Sequence, residues 1–289
     1  AVEAAIKTAL EHWRGLEDEF PLELLEGPKV ITFRKSFHGS NAWGSFFTSR
    51  DEPVNLVLEG YPQNYALECN ENIDAIKEAY ENFNIAAVLV EPLRSTFGDI
   101  KFDSEFLREL GIFCNEKNIP IIFDEVQTGM GATGTNWYYE QLPIDPDILV
   151  FGKKAQVSGI MVTEKYSTLF HLEGCKLEVT WDATICDMIR CKYILEAYED
   201  LDILKNVKDR SDQIVSGVTN PKIKNLRNVG LLIGFDFDSE RERDQFQEKC
   251  YLEGLLVNKA GTNTIRLRPN LAVSPCEEEE ALQILNGEK

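Results

Sequence analysis

Short apolar runs of strand length do most to limit what this chain can fold into. They are KVITF (29–33), IAAVLVEP (85–92), IPIIFDEV (119–126) and DILVFG (147–152); SGIMVT (158–163) follows as a fifth. Runs rich in β-branched residues with no polar alternation are buried on both faces. Helix-period segments at about 72–83 and 103–117 lie between them. Strands alternating with helical crossovers predict an α/β fold with a mainly parallel sheet and helices on both faces. Glu91, Asp124 and Lys153 stand just past the strand ends, where open α/β sheets bind ligands.

The pattern changes after a long helical stretch at about 182–217. RNVGLLIGFDF (227–237) reads as a strand with a hairpin-prone entry, and strands follow at about 255–258 and 264–268. SERE (239–242) has the form of a capping box, and Ser274-Pro275-Cys276-Glu277 caps a last helix. These features predict a large domain over 1–200 and a small C-terminal α+β domain over 201–289. At the other end, Val2, Ile6, Ala9, Leu10 and Trp13 share one helical face. No capping residue precedes Ala1, so the text is expected to open inside a helix, with a leading segment absent.

Composition removes several functional classes. The formal net charge is −19, which opposes nucleic-acid and anionic-membrane binding. Seven cysteines, an odd number without a CxxC, read as reduced thiols of a cytoplasmic protein. Only His12, His38 and His171 are present, too scattered for a zinc site, so no metal is expected. No run reaches the roughly 18 apolar residues of a membrane span.

Two strand ends carry candidate chemistry. In IIFDEVQTG (121–129), Asp124 reads either as a turn or cap residue or as a carboxylate holding a cation or protonated heterocycle, with Gln127 as a nearby donor. In DILVFGKK (147–154), Lys153 and Lys154 are either solvated or placed so that desolvation makes one of them an amine nucleophile. An acid for a pyridine nitrogen and a lysine for an aldehyde are the pair that pyridoxal phosphate requires.

FDEVQTGMGATG (123–134), PDILVFGKKAQVSGIM (146–161) and LEVTWDATICDMIRCKYILE (177–196) resemble the class III, fold type I, pyridoxal-phosphate aminotransferases. FHG (37–39), VEP (90–92) and IRLRP (265–269) follow in the same order. GKK-x-QV-x-G-x-M, then TW and DM-x-R, is similar to the lysine 6-aminotransferases in particular; the 4-aminobutyrate aminotransferases share DEVQTG and TW. The likeness runs from Ala1 to about Val273, and the family's N-terminal glycine/alanine turn for the cofactor phosphate is not matched.

The resemblance implies a role for each matching residue. Lys153 forms the Schiff base with pyridoxal 5'-phosphate and shuttles the substrate proton, with Lys154 the weaker candidate. Asp124 pairs with the pyridinium nitrogen, Gln127 with the phenolic oxygen and with substrate. Phe37 stacks on the ring and His38 either contacts the cofactor or only packs in its turn. Thr180 reaches the phosphate of a neighbouring subunit's cofactor, which implies a homodimer, and Arg268 binds a substrate carboxylate. Arg266 and Arg268 are expected on the same side of a strand.

Three positions depart from the family. Ser40 replaces an arginine that anchors lysine's α-carboxylate, and Asp182 stands close to Thr180. Thr96 replaces the glutamate that pairs with Arg268, so Arg268 is expected to remain cationic unless another group answers it. The function implied is transfer of lysine's ω-amino group to 2-oxoglutarate. A 4-aminobutyrate or other ω-amino acid aminotransferase is one alternative, and a degenerate, non-catalytic binding module is the other.

Overall fold

The computed structural model of the chain describes residues 1–16, 27–49, 65–167, 170, 177, 182 and 184–288. In chain order the elements are α1 (Val2–Leu16), β1 (Lys29–Phe33), α2 (Ala42–Phe47), β2 (Ala66–Cys69), α3 (Ile73–Asn82) and β3 (Ile85–Val90). There follow β4 (Leu93–Arg94), β5 (Ile100–Lys101), α4 (Ser104–Lys117), β6 (Ile121–Asp124), β7 (Ile148–Phe151) and β8 (Gly159–Val162). The remainder is α5 (Glu164–Ser167), α6 (Ile185–Asp200), α7 (Ile203–Gly217), β9 (Lys224–Val229), β10 (Leu232–Asp236), α8 (Glu240–Leu252), β11 (Asn258–Ala260), β12 (Thr264–Leu267) and α9 (Pro275–Asn286).

These elements divide into two compact units. The first comprises residues 1–92, 102–126 and 141–188. Its six-stranded sheet has the order β2-β1-β3-β6-β7-β8. All pairs are parallel except β7 with β8. The uninterrupted apolar runs are buried as expected, with every residue of β1, β3 and β6 inside. One face receives α1: Ala5, Ile6 and Ala9 pack with Val30, Ala87, Leu89, Ile122 and Val150. On the other face Phe33 meets Phe102 and Phe106 edge-on, at 5.3 and 5.6 Å, which seats the start of α4. Fully burying each such side chain contributes about 1.5–3 kcal/mol.

The second unit comprises residues 93–101, 127–140 and 189–289. Its antiparallel sheet runs β11-β12-β10-β9, and β4 and β5 form a separate two-stranded hairpin. The hairpin expected in 227–237 is β9 and β10, joined at Gly230, whose φ of 55° and close approach to Ala132 O exclude a side chain. The helical stretch expected as one piece is two helices, because Asp202 adopts a left-handed φ of 45° between α6 and α7. Ser239 Oγ caps α8 by accepting from Glu242 N, and the reciprocal two-bond box is found at Ser274 and Glu277 of α9. Among the described residues no helix is long and apolar enough to cross a membrane, and no cluster suits a metal ion.

Candidate active site

The carboxyl ends of β1, β3, β6 and β7 are neighbours in one sheet, so four loops remote in sequence converge there. The first is Ser36–Gly39 beyond β1. Gly44 lies so close to His38 O that a Cβ there would sit 2.8 Å away, which lets α2 fold back beneath the turn. Thr48 Oγ1 accepts from His38 N at 2.9 Å and is within donating distance of Gly39 O and Gly44 O. His38 is thereby held from its backbone, and its ring is buried.

The second loop supplies Glu91, buried one residue past β3, whose Oε2 accepts from Phe37 N at 2.8 Å. The third begins at Asp124, the last residue of β6. His38 Nδ1 lies 2.9 Å from Asp124 Oδ2, with both side chains buried. Opposite an ionised carboxylate, which only accepts, Nδ1 would be the donor of this contact. Asp124 Oδ1 accepts from Val126 N at 3.2 Å. A carboxylate has about four acceptor directions, so each oxygen retains one for a further donor. His38 Nε2 is buried and has no hydrogen-bond partner among the described residues.

The fourth loop carries Lys153 from β7 into the antiparallel β8. Two glycines make the reversal close: a Cβ on Gly152 would meet Ser158 Oγ at 2.8 Å, and one on Gly159 would meet the Phe151 ring at 2.7 Å. Lys153 has a φ of 44°, a region few non-glycine residues occupy, and such outliers gather at functional sites. Its carbonyl accepts from both the backbone N and Nε2 of Gln156, at 2.9 Å each. Asp124 pairs in register with Val150, which places the segment bearing Lys153 at the adjacent strand end. Of the two lysines, Lys153 is exposed and Lys154 half-buried, in the short helical turn Lys153–Ala155.

These groups fit pyridoxal phosphate at its two reactive ends, with a buried acceptor for the ring nitrogen and a lysine at the neighbouring strand end for the aldehyde. Phe37 is half-buried on the same turn as His38. Gln127 is a half-buried turn residue of the second unit. Ser40 and Asp182 are exposed, and Thr180 lies outside the described residues, as do His171 and Cys175.

Within the second unit, Arg268 Nη2 donates to Asp99 Oδ1, and its Nη1 donates to Leu267 O at 2.8 Å and Ile233 O at 3.3 Å. Arg266 Nη1 reaches Ser95 O at 3.1 Å, so both arginines turn toward the β4–β5 hairpin as the strand alternation predicts. Another group does answer Arg268: Asp99, only 2% exposed, is its counter-ion in place of a glutamate at 96. Sequence reasoning missed Asp99 and placed Glu91 at a ligand-binding strand end without naming its partner. The signal for the first was the Gly-Asp that ends EPLRSTFGD, and for the second the acid directly after an unbroken apolar strand.

A parallel sheet with an acid and a lysine at adjacent carboxyl ends is the arrangement of a fold type I transferase. The chain matches the aminotransferase class-III family over residues 1–287, and it belongs to that family. Class-III aminotransferases depend on pyridoxal phosphate. The chain is 30% identical to the L-lysine-epsilon aminotransferase of Mycobacterium tuberculosis, a match covering 98% of this chain and 69% of that protein. It is 31% identical to a 4-aminobutyrate aminotransferase of Schizosaccharomyces pombe, over 84% of this chain and 56% of the other. Among solved structures, lysine aminotransferase from M. tuberculosis in the internal aldimine form superposes with a TM-score of 0.82 at 26% identity, covering 99% of this chain and 71% of that one.

Proposed function

We propose that this protein transfers the ω-amino group of L-lysine to 2-oxoglutarate, acting as a cytoplasmic homodimer. The observation that carries the reading is the buried His38–Asp124 pair at the end of β6, beside the strand end bearing Lys153. Bound pyridoxal phosphate supplies an aldehyde carbon and an electron-withdrawing pyridinium ring. Asp124 would accept the ring N–H and, as a carboxylate, would favour the protonated ring. His38 is a positioning residue: its Nδ1 contact fixes the carboxylate's rotation. Phe37 covers one face of the ring, worth about 0.5–1.5 kcal/mol beyond its burial, while Glu91 holds the Phe37 amide. Lys153 would hold the cofactor through its amine at the aldehyde carbon and, once freed by substrate, would carry the proton at the substrate carbon. Gln127 would donate to the phenolic oxygen and to substrate, and Arg268 would receive a carboxylate.

Two features favour further readings. Ser40 offers no cation for lysine's α-carboxylate, which supports 4-aminobutyrate or another ω-amino acid as donor. Ser40, Thr96 and Asp182 together support a degenerate relative that retains the fold as a binding module. The experiment is a titration with pyridoxal phosphate. Visible absorbance absent from Lys153→Ala, with lysine preferred to 4-aminobutyrate as donor, is the expected result. A flat spectrum in the unaltered chain ends the enzymatic readings.

A further inference from the structure

Phe37 and His38 are held at consecutive amides by side chains from two different elements. Glu91 Oε2, just past β3, accepts from Phe37 N at 2.8 Å, and Thr48 Oγ1, just past α2, accepts from His38 N at 2.9 Å. A hydroxyl donates as well as accepts, so Thr48 also answers the carbonyls of Gly39 at 2.9 Å and Gly44 at 3.0 Å. Thr48 thus joins the turn after β1 to α2, and the start of that turn is tied beside it, since Ser49 N donates to Ser36 O at 2.8 Å. The imidazole depends on this support. Its Nδ1 lies 2.9 Å from Asp124 Oδ2, while Nε2 is buried with no hydrogen-bond partner among the described residues. A ring bonded at one corner does not fix its own place. Where it meets Asp124 is set by the backbone that carries it.

We propose that Thr48 is a positioning residue of the cofactor site, its hydroxyl holding the His38 backbone so that the ring keeps its contact with Asp124. The inference rests on the aminotransferase reading and deepens it. Thr48 has φ −85° and ψ 120°, extended values that suit any β-branched residue. Valine therefore fits the same backbone and nearly the same volume but offers His38 N no acceptor. An amide left without its acceptor is costly, and the turn relieves that cost by shifting toward another partner, taking the imidazole with it. The disturbance reaches Asp124 through two hydrogen bonds in series, without altering a group assigned to the substrate.

The test begins with the full chain free of cofactor. Nitrogen–proton NMR follows the His38 ring N–H that faces Asp124, identified as the signal missing from His38→Asn, and times its exchange with solvent. In Thr48→Val this exchange is expected to be about tenfold faster, and pyridoxal phosphate to bind about tenfold more weakly. In the cofactor-loaded protein kcat is expected to fall by a similar factor, while KM for the amine donor stays within about twofold. Thr48→Ser keeps the hydroxyl and is expected to restore all three. Unchanged ring exchange in Thr48→Val overturns the proposal, as does lost stability with ring exchange and cofactor affinity intact, or a Thr48→Ser that restores nothing. If Thr48→Val does not fold, hydrogen exchange at the His38 amide of the unaltered chain decides: protection is expected, and exchange at the rate of a free amide overturns the proposal. A chain that binds no pyridoxal phosphate defeats the aminotransferase reading, while ring exchange still decides the role of Thr48.

Discussion

His38 Nδ1 and Asp124 Oδ2 are 2.9 Å apart, although the two residues are separated by 86 positions in the chain and arise from different strand ends. A hydrogen bond to a charged group is worth about 1.5–3 kcal/mol, or roughly 10- to 150-fold in rate if it is fully expressed at the transition state. His38→Ala is therefore expected to lower kcat by about that factor while the fold persists. His38→Asn, with a shorter donor, is expected to recover part of the loss. The cofactor spectrum distinguishes positioning from simple destabilisation, because its pH dependence shifts if Asp124 is released. A variant with unchanged kcat and spectrum leaves His38 with no role beyond its turn.

Glu91 is expected to matter through a peptide N–H rather than through a side chain. Replacing it by alanine strips the Phe37 amide of its 2.8 Å partner. A buried donor left without an acceptor costs about 1–3 kcal/mol. Urea denaturation should register that loss, and pyridoxal phosphate should bind more weakly to Glu91→Ala than to Glu91→Gln, which keeps an acceptor oxygen.

Acid sensitivity is expected in the C-terminal sheet. Burial by itself would raise the Asp236 carboxyl, but hydrogen bonds from Arg227, Thr264 and Asn225, with the charge of Arg227, outweigh it and hold the group below its ordinary value of 3.8. A depressed folded-state value stabilises the fold above the ordinary value, and the contribution fades as pH falls through the folded one. Denaturation curves measured from pH 7 downward should show this loss below about pH 4. Asp236→Asn should lower stability at pH 7 and flatten that part of the profile; identical profiles would remove Asp236 from the account.

Thiol chemistry should sort by burial. Burial, with Asp147 nearby, pushes Cys114 up to about 12, and burial, with Glu253, pushes Cys250 up to about 11. Cys186 and Cys276 are exposed. Since the thiolate is the reactive form, iodoacetamide at pH 8 is expected to label Cys186 and Cys276 in the folded protein well before Cys114 and Cys250. Mass spectrometry of the labelled peptides reads the order directly.

The central strands were legible because their burial leaves no choice of residue: KVITF is β1 to the residue, and IAAVLV is the whole of β3. β2 was not, because Ala66–Cys69 is a half-exposed edge without the apolar continuity that marks its neighbours. The β4–β5 hairpin is two residues per strand, below the length at which alternation can be read. At the site, Asp124 and Lys153 stood out because each ends a strong strand. Asp99 did not, since its partner Arg268 is 169 residues away and no local pattern links them. The break between α6 and α7 depends on one left-handed aspartate, Asp202, which helical periodicity does not register.

The convergence of four loops at one sheet edge also governs when the site comes into being. Parallel strands β1, β3, β6 and β7 pair across long crossovers, so each contact at that edge joins segments distant along the chain. Such topologies carry high contact order and fold slowly, since loop closure precedes the contacts that reward it. On the ribosome, Phe37, His38 and Glu91 emerge well before Asp124 and Lys153, and the histidine has no carboxylate to meet until β6 has joined β3. A ligand that needs all four loops can thus be bound only after β1, β3, β6 and β7 have paired.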